Sequence, residues 1–316
     1  MKLLRGVALA LLAAGGVAGS ASAMPSGFSD WSPAVRVENQ PGTDPDFNGS
    51  GLDGCPFIAR DDVTLYMASN RAGGHGGIDI WVARRDSPDD PWGAPENLPG
   101  PVNSPADDFC PTIDRNERTL YFVSTRAGGC GGADIYVTRH RPAGWDDPRN
   151  IGCDVNSAAD EASPFPLPEP DHGKVLYFSS VRPGGFAAEA AGATVGDSDV
   201  YVSVRSDGSY GPAELVTGVN TAFQDGQPNL RRDGREIFFF SNRPGTLGMN
   251  DIYAASRPDT SVPWSAPVNL GSNVNSPDGS ETRPSLSWDG TTLYFGSTRP
   301  GGEGAADHYV TIRSFG

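Results

Sequence analysis

The sequence predicts an all-β fold: a five-bladed β-propeller of four-stranded blades, in which an N-terminal strand completes the last blade. Three observations predict it. One segment, rich in Arg, Gly and Asp, recurs five times along the chain. The composition, with 41 Gly and 28 Pro in 316 residues and only 37% hydrophobic content, suits many short strands joined by turns. The two ends of the chain carry complementary fragments of a single repeat, and together they make one blade.

The copies read LYMASNRAGGHGGIDIWV from Leu65, LYFVSTRAGGCGGADIYV from Leu120, LYFSSVRPGG from Leu176 with DVYV after an insertion, IFFFSNRPGTLGMNDIYA from Ile237 and LYFGSTRPGGEGAADHYV from Leu293. Their arginines, Arg71, Arg126, Arg182, Arg243 and Arg299, are spaced 55, 56, 61 and 56 residues apart. Their aspartates, Asp79, Asp134, Asp199, Asp251 and Asp307, are spaced 55, 65, 52 and 56. A fixed period of this size is the signature of a repeat architecture.

Before the first repeat, Met1 to Ala23 combines Lys2 and Arg5, an apolar run from Gly6 to Val17 and Ala21-Ser22-Ala23 at a cleavage site. This is the pattern of a secretory signal peptide, and the run falls short of the ~20 residues a spanning helix needs. The expectation is one domain, residues 24–316, soluble after signal removal, monomeric and periplasmic or secreted. The net charge is -15, and losing Lys2 and Arg5 with the signal makes it -17. Such a surface repels a phosphate backbone, which argues against nucleic acid and favours cations or a basic protein patch.

Alternation and turn signals cut each repeat into strands a to d. In the second unit, strand a is Cys110 to Ile113, b is Leu120 to Ser124, c is Asp134 to Thr138, and d starts at Trp145. Asp233-Gly234 and Asp289-Gly290 supply tight a-b turns, because glycine accepts positive φ. An aromatic followed by Pro marks strand d: Trp92 with Pro95, Trp145 with Pro148, Tyr210 with Pro212, Trp264 with Pro267. These rings are expected to pack between sheets, with sugar stacking as the other use. The last repeat stops after strand c, whereas Trp31-Ser-Pro-Ala-Val35 is an orphan strand d. Joining the two closes the ring and removes its exposed edges.

In a meandering blade the start of a, the end of b, the start of c and the end of d share one face. The residue three before each strand-a proline is acidic, at Asp53, Asp108, Glu161, Asp225 and Glu281. These predict a ring of carboxylates at the mouth of the central channel. Two uses stand open: an intrablade network in which each arginine bridges both acids of its blade, or a cation site. No cofactor is required, although the loop from Thr43 to Asp53 supplies oxygens enough to suggest Ca²⁺.

Four cysteines in a secreted chain read as two disulfides. Cys55 and Cys110 occupy equivalent positions on neighbouring innermost strands, while Cys130 and Cys153 belong to one blade, so the expected pairs are Cys55–Cys110 and Cys130–Cys153. A four-cysteine zinc site is the alternative.

Catalytic motifs are sparse. The sequence holds no G-x-S-x-G, H-E-x-x-H or phosphate loop, and its four histidines follow no motif. Symmetry breaks at the insertion Phe186 to Ser198 and at His75 and His308, which stand on the consensus face of neighbouring blades.

The elements P-x-x-S-x-D-G, L-Y-F-x-S-x-R-x-G-G and D-I-Y, which extend from Trp31 to Arg313, make the chain resemble the TolB-like, WD-like propeller repeats of secreted and periplasmic bacterial proteins. The resemblance implies a scaffold or binding module, and related propellers also act as carbohydrate-active enzymes. TolB itself looks six-bladed with an extra N-terminal domain, so a role in the Tol system is not carried over. The expected function is a non-catalytic module that binds an envelope or extracellular protein or glycan through its acidic loop face. The alternative is a glycoside hydrolase or lyase using channel carboxylates, for which identical acids in all five blades are a poor match.

Overall fold

The computed structural model describes residues 27–186 and 197–316. The expected signal segment and most of the Phe186–Ser198 insertion lie outside the described residues. The rest forms five antiparallel sheets arranged as a closed ring. The innermost strands are Asp53–Ile58, Asp108–Ile113, Glu161–Glu169, Asp225–Leu230 and Glu281–Leu286. Strands b and c follow as hairpins in every blade, as in Thr64–Ser69 paired with Asp79–Arg84.

The N-terminal strand closes the ring, with Val35 opposite Val310 and Arg36 opposite Tyr309. A parallel bridge from Leu52 to Ala306 and an antiparallel one from Phe28 to Phe315 reinforce the same junction. The position of strand d corrects the sequence reading. The outer strands are only two residues long, at Val35–Arg36, Glu96–Asn97, Arg149–Asn150, Glu214–Leu215 and Val268–Asn269. Trp145 instead pairs with His140 in a small hairpin extending strand c. Proline after the aromatic removes a ladder donor, so pairing starts only beyond it.

Period-2 alternation sends successive side chains of each middle strand to opposite neighbours. Phe239 packs toward blade 3 with Tyr177 and Val200, while Phe238 packs toward blade 5 with Phe295 and Leu286. One such cluster fills each of the five interblade spaces. Trp31, Trp92, Tyr210 and Trp264 are buried in them, in the packing role expected of the strand-d aromatics. Buried ion pairs join blades on the opposite end from the loop face. Arg313 meets Glu236 through two hydrogen bonds of 2.8 and 2.7 Å, under Phe28 and Trp31, and Arg257 meets Glu169 at 2.6 Å.

Two disulfides form, Cys55–Cys110 and Cys130–Cys153, with Cα separations of 4.7 and 5.7 Å. No free cysteine remains for zinc. Such bonds indicate an oxidising, extracytoplasmic environment. Among the described residues, no helix is long and apolar enough to cross a membrane.

Candidate functional site: the loop face and the central channel

The repeat residues assemble one bonded unit per blade. The acid that opens strand a takes the arginine of its own blade: Asp53 with Arg71 at 2.7 Å, Asp108 with Arg126 at 2.6 Å, Glu161 with Arg182 at 3.1 Å, Glu281 with Arg299 at 3.2 Å, and Asp225 with Arg243. The serine ending strand b, such as Ser69, accepts from the arginine's backbone N and Nε. The guanidinium also donates to a carbonyl of the loop before strand a, as to Phe47 and Val219. The acid's second oxygen caps amides of that same loop, at Gly49, Ser104, Ser157, Thr221 and Ser276. All five acids are fully buried.

The aspartates of D-I-Y stand apart from the arginines, contrary to the expected bridging of both acids. Each caps the loop between its own strands b and c: Asp79 accepts from His75 and Gly76, Asp134 from Cys130 and Gly131, Asp199 from Phe186, Asp251 from Leu247 and Gly248, and Asp307 from Glu303. The separation has a simple cause. The b-c loop turns back over its own strand c and offers amides at close range, leaving the arginine free to hold the neighbouring loop.

A third repeated residue escaped sequence reasoning. Asn103, Asn156, Asn220 and Asn275, joined by Asn48, accept from the amide that follows each D-I-Y aspartate, and in every blade the same asparagine donates back to that residue's carbonyl. Its trace was present as the recurring Val-Asn-Ser or Val-Asn-Thr before each ring acid, with Phe-Asn-Gly in the first copy.

His75 and His308 do not come together: His75 is exposed and His308 fully buried. The His308 Nδ1 lies 3.0 Å from Asn48 Oδ1, and burial pushes its pKa down to about 4. The unfolded chain, titrating near 6.5, then takes up the proton first. Stability contributed by neutral His308 is full above pH 6.5 and is lost as the pH falls to about 4, by about 3 kcal/mol. Asp199 acts the opposite way in the same window, because burial, and then its neighbours Asp225 and Asp197, raise its pKa to about 7. We expect a His308→Gln variant to lose acid sensitivity relative to the parent, and an Asp199→Asn variant to gain it. Denaturant titrations between pH 4 and 7 check this, and parallel curves for parent and variants would refute it.

The loop from Thr43 to Asp53 engages two of its three acids within the fold, and Asp46 is exposed. Asp53 is ion-paired, and Asp44 Oδ1 accepts the Asp46 amide at 2.9 Å. Among the described residues, no group of three or more His, Cys, Asp or Glu is placed to hold a metal ion. We expect the same melting temperature in excess Ca²⁺ and in chelator, and a rise of several degrees in Ca²⁺ would support the calcium loop.

At the third position of every innermost strand a non-glycine residue adopts positive φ: Cys55, Cys110, Ser163, Gln227 and Arg283, at 48, 47, 49, 56 and 57°. The a-b ladder shifts register at the same place in each blade. This bulge turns the third side chain out of the ladder and into the channel, where it lines a small chamber of about 30 Å³. Phe57 and Phe165, with ring centroids 6.5 Å apart, narrow the channel below the chamber. Beyond them opens a second mouth of about 60 Å³, walled by Ile113, Leu230 and Leu286 and rimmed by Arg60, Arg115, Arg232 and Trp288. The last four occupy one repeat position, two residues beyond strand a. In a chain this acidic the cationic mouth is unexpected, and aligning the repeats past strand a would have revealed it.

With the geometry known, comparison with other proteins adds fold alone. No protein-family model and no curated protein matches the sequence. Among solved structures, the chain is similar to an α-L-arabinofuranosidase from Podospora anserina (TM-score 0.55, 12% identity, 93% of this chain and 99% of that one). It is also similar to a thermostable family-43 glycoside hydrolase (0.51, 15%, 86% and 92%). A putative TolB from Agrobacterium tumefaciens aligns at a TM-score of 0.47 and 13% identity, over 92% of this chain and 99% of that one. The fold is a five-bladed propeller.

Proposed function

We propose that the chain is a periplasmic or secreted, non-catalytic propeller that binds a protein partner on its loop face. One observation carries the reading. On the described b-c and d-a loops, apart from His75, the exposed charged side chains are all acidic: Asp46, Asp154, Asp160, Asp278 and Glu303. Within that acidic field, blades 3 and 4 expose Phe186, Phe223, Leu247 and Met249. Phe186 and Leu247 hold the capping position occupied by His75, Cys130 and Glu303 in the other blades, so the apolar sector is a local departure from the repeat. Exposed apolar side chains on the loops of two adjoining blades, with a single-sign rim, suit a partner that presents an apolar patch flanked by Lys or Arg.

The glycosidase alternative draws on fold likeness at 12 to 15% identity. It needs two free carboxylates flanking a glycosidic bond. Here each ring acid is buried beneath its own arginine, and its oxygens are committed to loop amides.

Affinity capture from envelope extract tests the reading, with parent protein and a Phe223→Ser, Met249→Ser double variant as baits. The expected result is a protein held by the parent at one per chain and lost from the variant at unchanged melting temperature. Turnover of an arabinan or xylan panel by the parent, or glycan capture indifferent to the two substitutions, would overturn it.

A further inference from the structure

The chamber at the loop end of the channel is rich in donors and has no acceptor of matching charge. Arg283 projects into it from blade 5, and its Nε is buried without a hydrogen-bond partner. Among the described residues, no carboxylate pairs with this guanidinium. The two ring acids beside it are already committed. Glu281 gives Oε1 to Ser297 and Arg299 and Oε2 to the Ser276 amide, while Asp53 gives Oδ1 to Arg71 and Oδ2 to the Gly49 amide.

The space for Arg283 is built into the adjoining blade. A Cβ on Gly54 would lie 2.4 Å from its Nη1, so glycine at the second position of strand a in blade 1 is what admits the side chain. Burial pushes the Arg283 pKa down, yet a guanidinium does not lose its proton in a protein. A desolvated charge of this kind is costly unless something of opposite sign sits against it.

Two further donors line the same chamber. Gln227 accepts the Arg283 backbone N–H at 3.0 Å. Since that group only donates, the amide atom facing it must be oxygen, and the Gln227 Nε2 is left to donate elsewhere. The Ser163 hydroxyl shares the chamber, and the Cys55–Cys110 disulfide closes the remaining side without offering charge. At about 30 Å³ the space suits one or two water-sized occupants.

We infer that the upper chamber of the channel is a binding site for a single small monovalent anion of chloride size, held by Arg283 with Gln227 Nε2 and Ser163 Oγ. The anion neutralises a channel cation that lies outside the five-fold acid-arginine pairing, and it ties blades 3, 4 and 5 together at the axis. Halides and formate fit this description, whereas sulfate is too large.

Two measurements on the full chain test the site. Crystals soaked in bromide should show one anomalous peak on the channel axis beside Arg283. At matched ionic strength, the melting temperature should be higher in sodium chloride or sodium formate than in sodium gluconate, rising with chloride concentration. Arg283→Met should abolish that dependence. A channel empty of bromide, or a chloride effect that survives in Arg283→Met, would overturn the inference. Should Arg283→Met fail to fold, the bromide map of the parent decides alone.

Discussion

Replacing Asp225 with Asn is expected to cost about 3 to 5 kcal/mol of folding stability, the range for removing one member of a buried ion pair. Asp225 is fully buried, and its Oδ2 accepts from both the amide and the hydroxyl of Thr221 at 2.6 Å. Arg243 would stay pinned by Ser241 and the Val219 carbonyl with its countercharge gone. Equilibrium urea unfolding measures the loss. Partner capture by the folded fraction should be unchanged, because no oxygen of Asp225 is available to a ligand. A variant as stable as the parent to within about 0.5 kcal/mol, but unable to bind its partner, would show that the acid ring serves recognition instead.

The second large effect is expected at the Cys55–Cys110 bond, which ties the innermost strands of blades 1 and 2 across 55 residues. Loop-closure entropy for that length gives about 4 kcal/mol, against about 3 for the 23 residues spanned by Cys130–Cys153. Alanine is the cleaner substitution for both members of the pair. Cys55 and Cys110 hold positive φ, and glycine would relieve backbone strain at the same time as it removed the bond. Unfolding of the Cys55→Ala, Cys110→Ala variant, compared with reduced and oxidised parent, should place its loss at a little over half that of full reduction, which also opens Cys130–Cys153. A loss under 1 kcal/mol would mean that the interblade core holds the two strands together without the bond.

Much of this architecture was legible because repetition multiplies weak signals. A single Leu-Tyr-Phe or Asp-Ile-Tyr says little, but five copies at one period fix strand identity, blade number and the completion of blade 5 by Val35 and Arg36. Strand d was misplaced because a two-residue strand carries no period of its own. Its conspicuous aromatic marks the wedge between sheets and not the strand itself. The acids illustrate a different limit. Asp53 and Arg71 lie eighteen residues apart, as do their counterparts in blades 2, 4 and 5, and that constancy pointed to pairing. Whether the pair faces solvent or lies beneath a loop depends on how the loop before strand a folds over it, which no local pattern encodes. Arg283 went unread for the opposite reason: Cys55, Cys110, Ser163 and Gln227 stand at its position in the other blades, and a consensus carries no signal where the blades diverge.

The seam between Val35–Arg36 and Asp307–Ile312 also sets the order of assembly. Blades 1 to 4 are each drawn from a continuous stretch of chain and can form in turn as the polypeptide emerges. The fifth joins Val35 to Val310, partners far apart in the sequence, so the ring stays open until Val310 has been made. During that interval the waiting strand has a bare edge, and the nearest competitor for it is the same N-terminal segment of another copy. Yield on refolding will therefore fall with protein concentration through exchange of that one strand, even where every blade is sound.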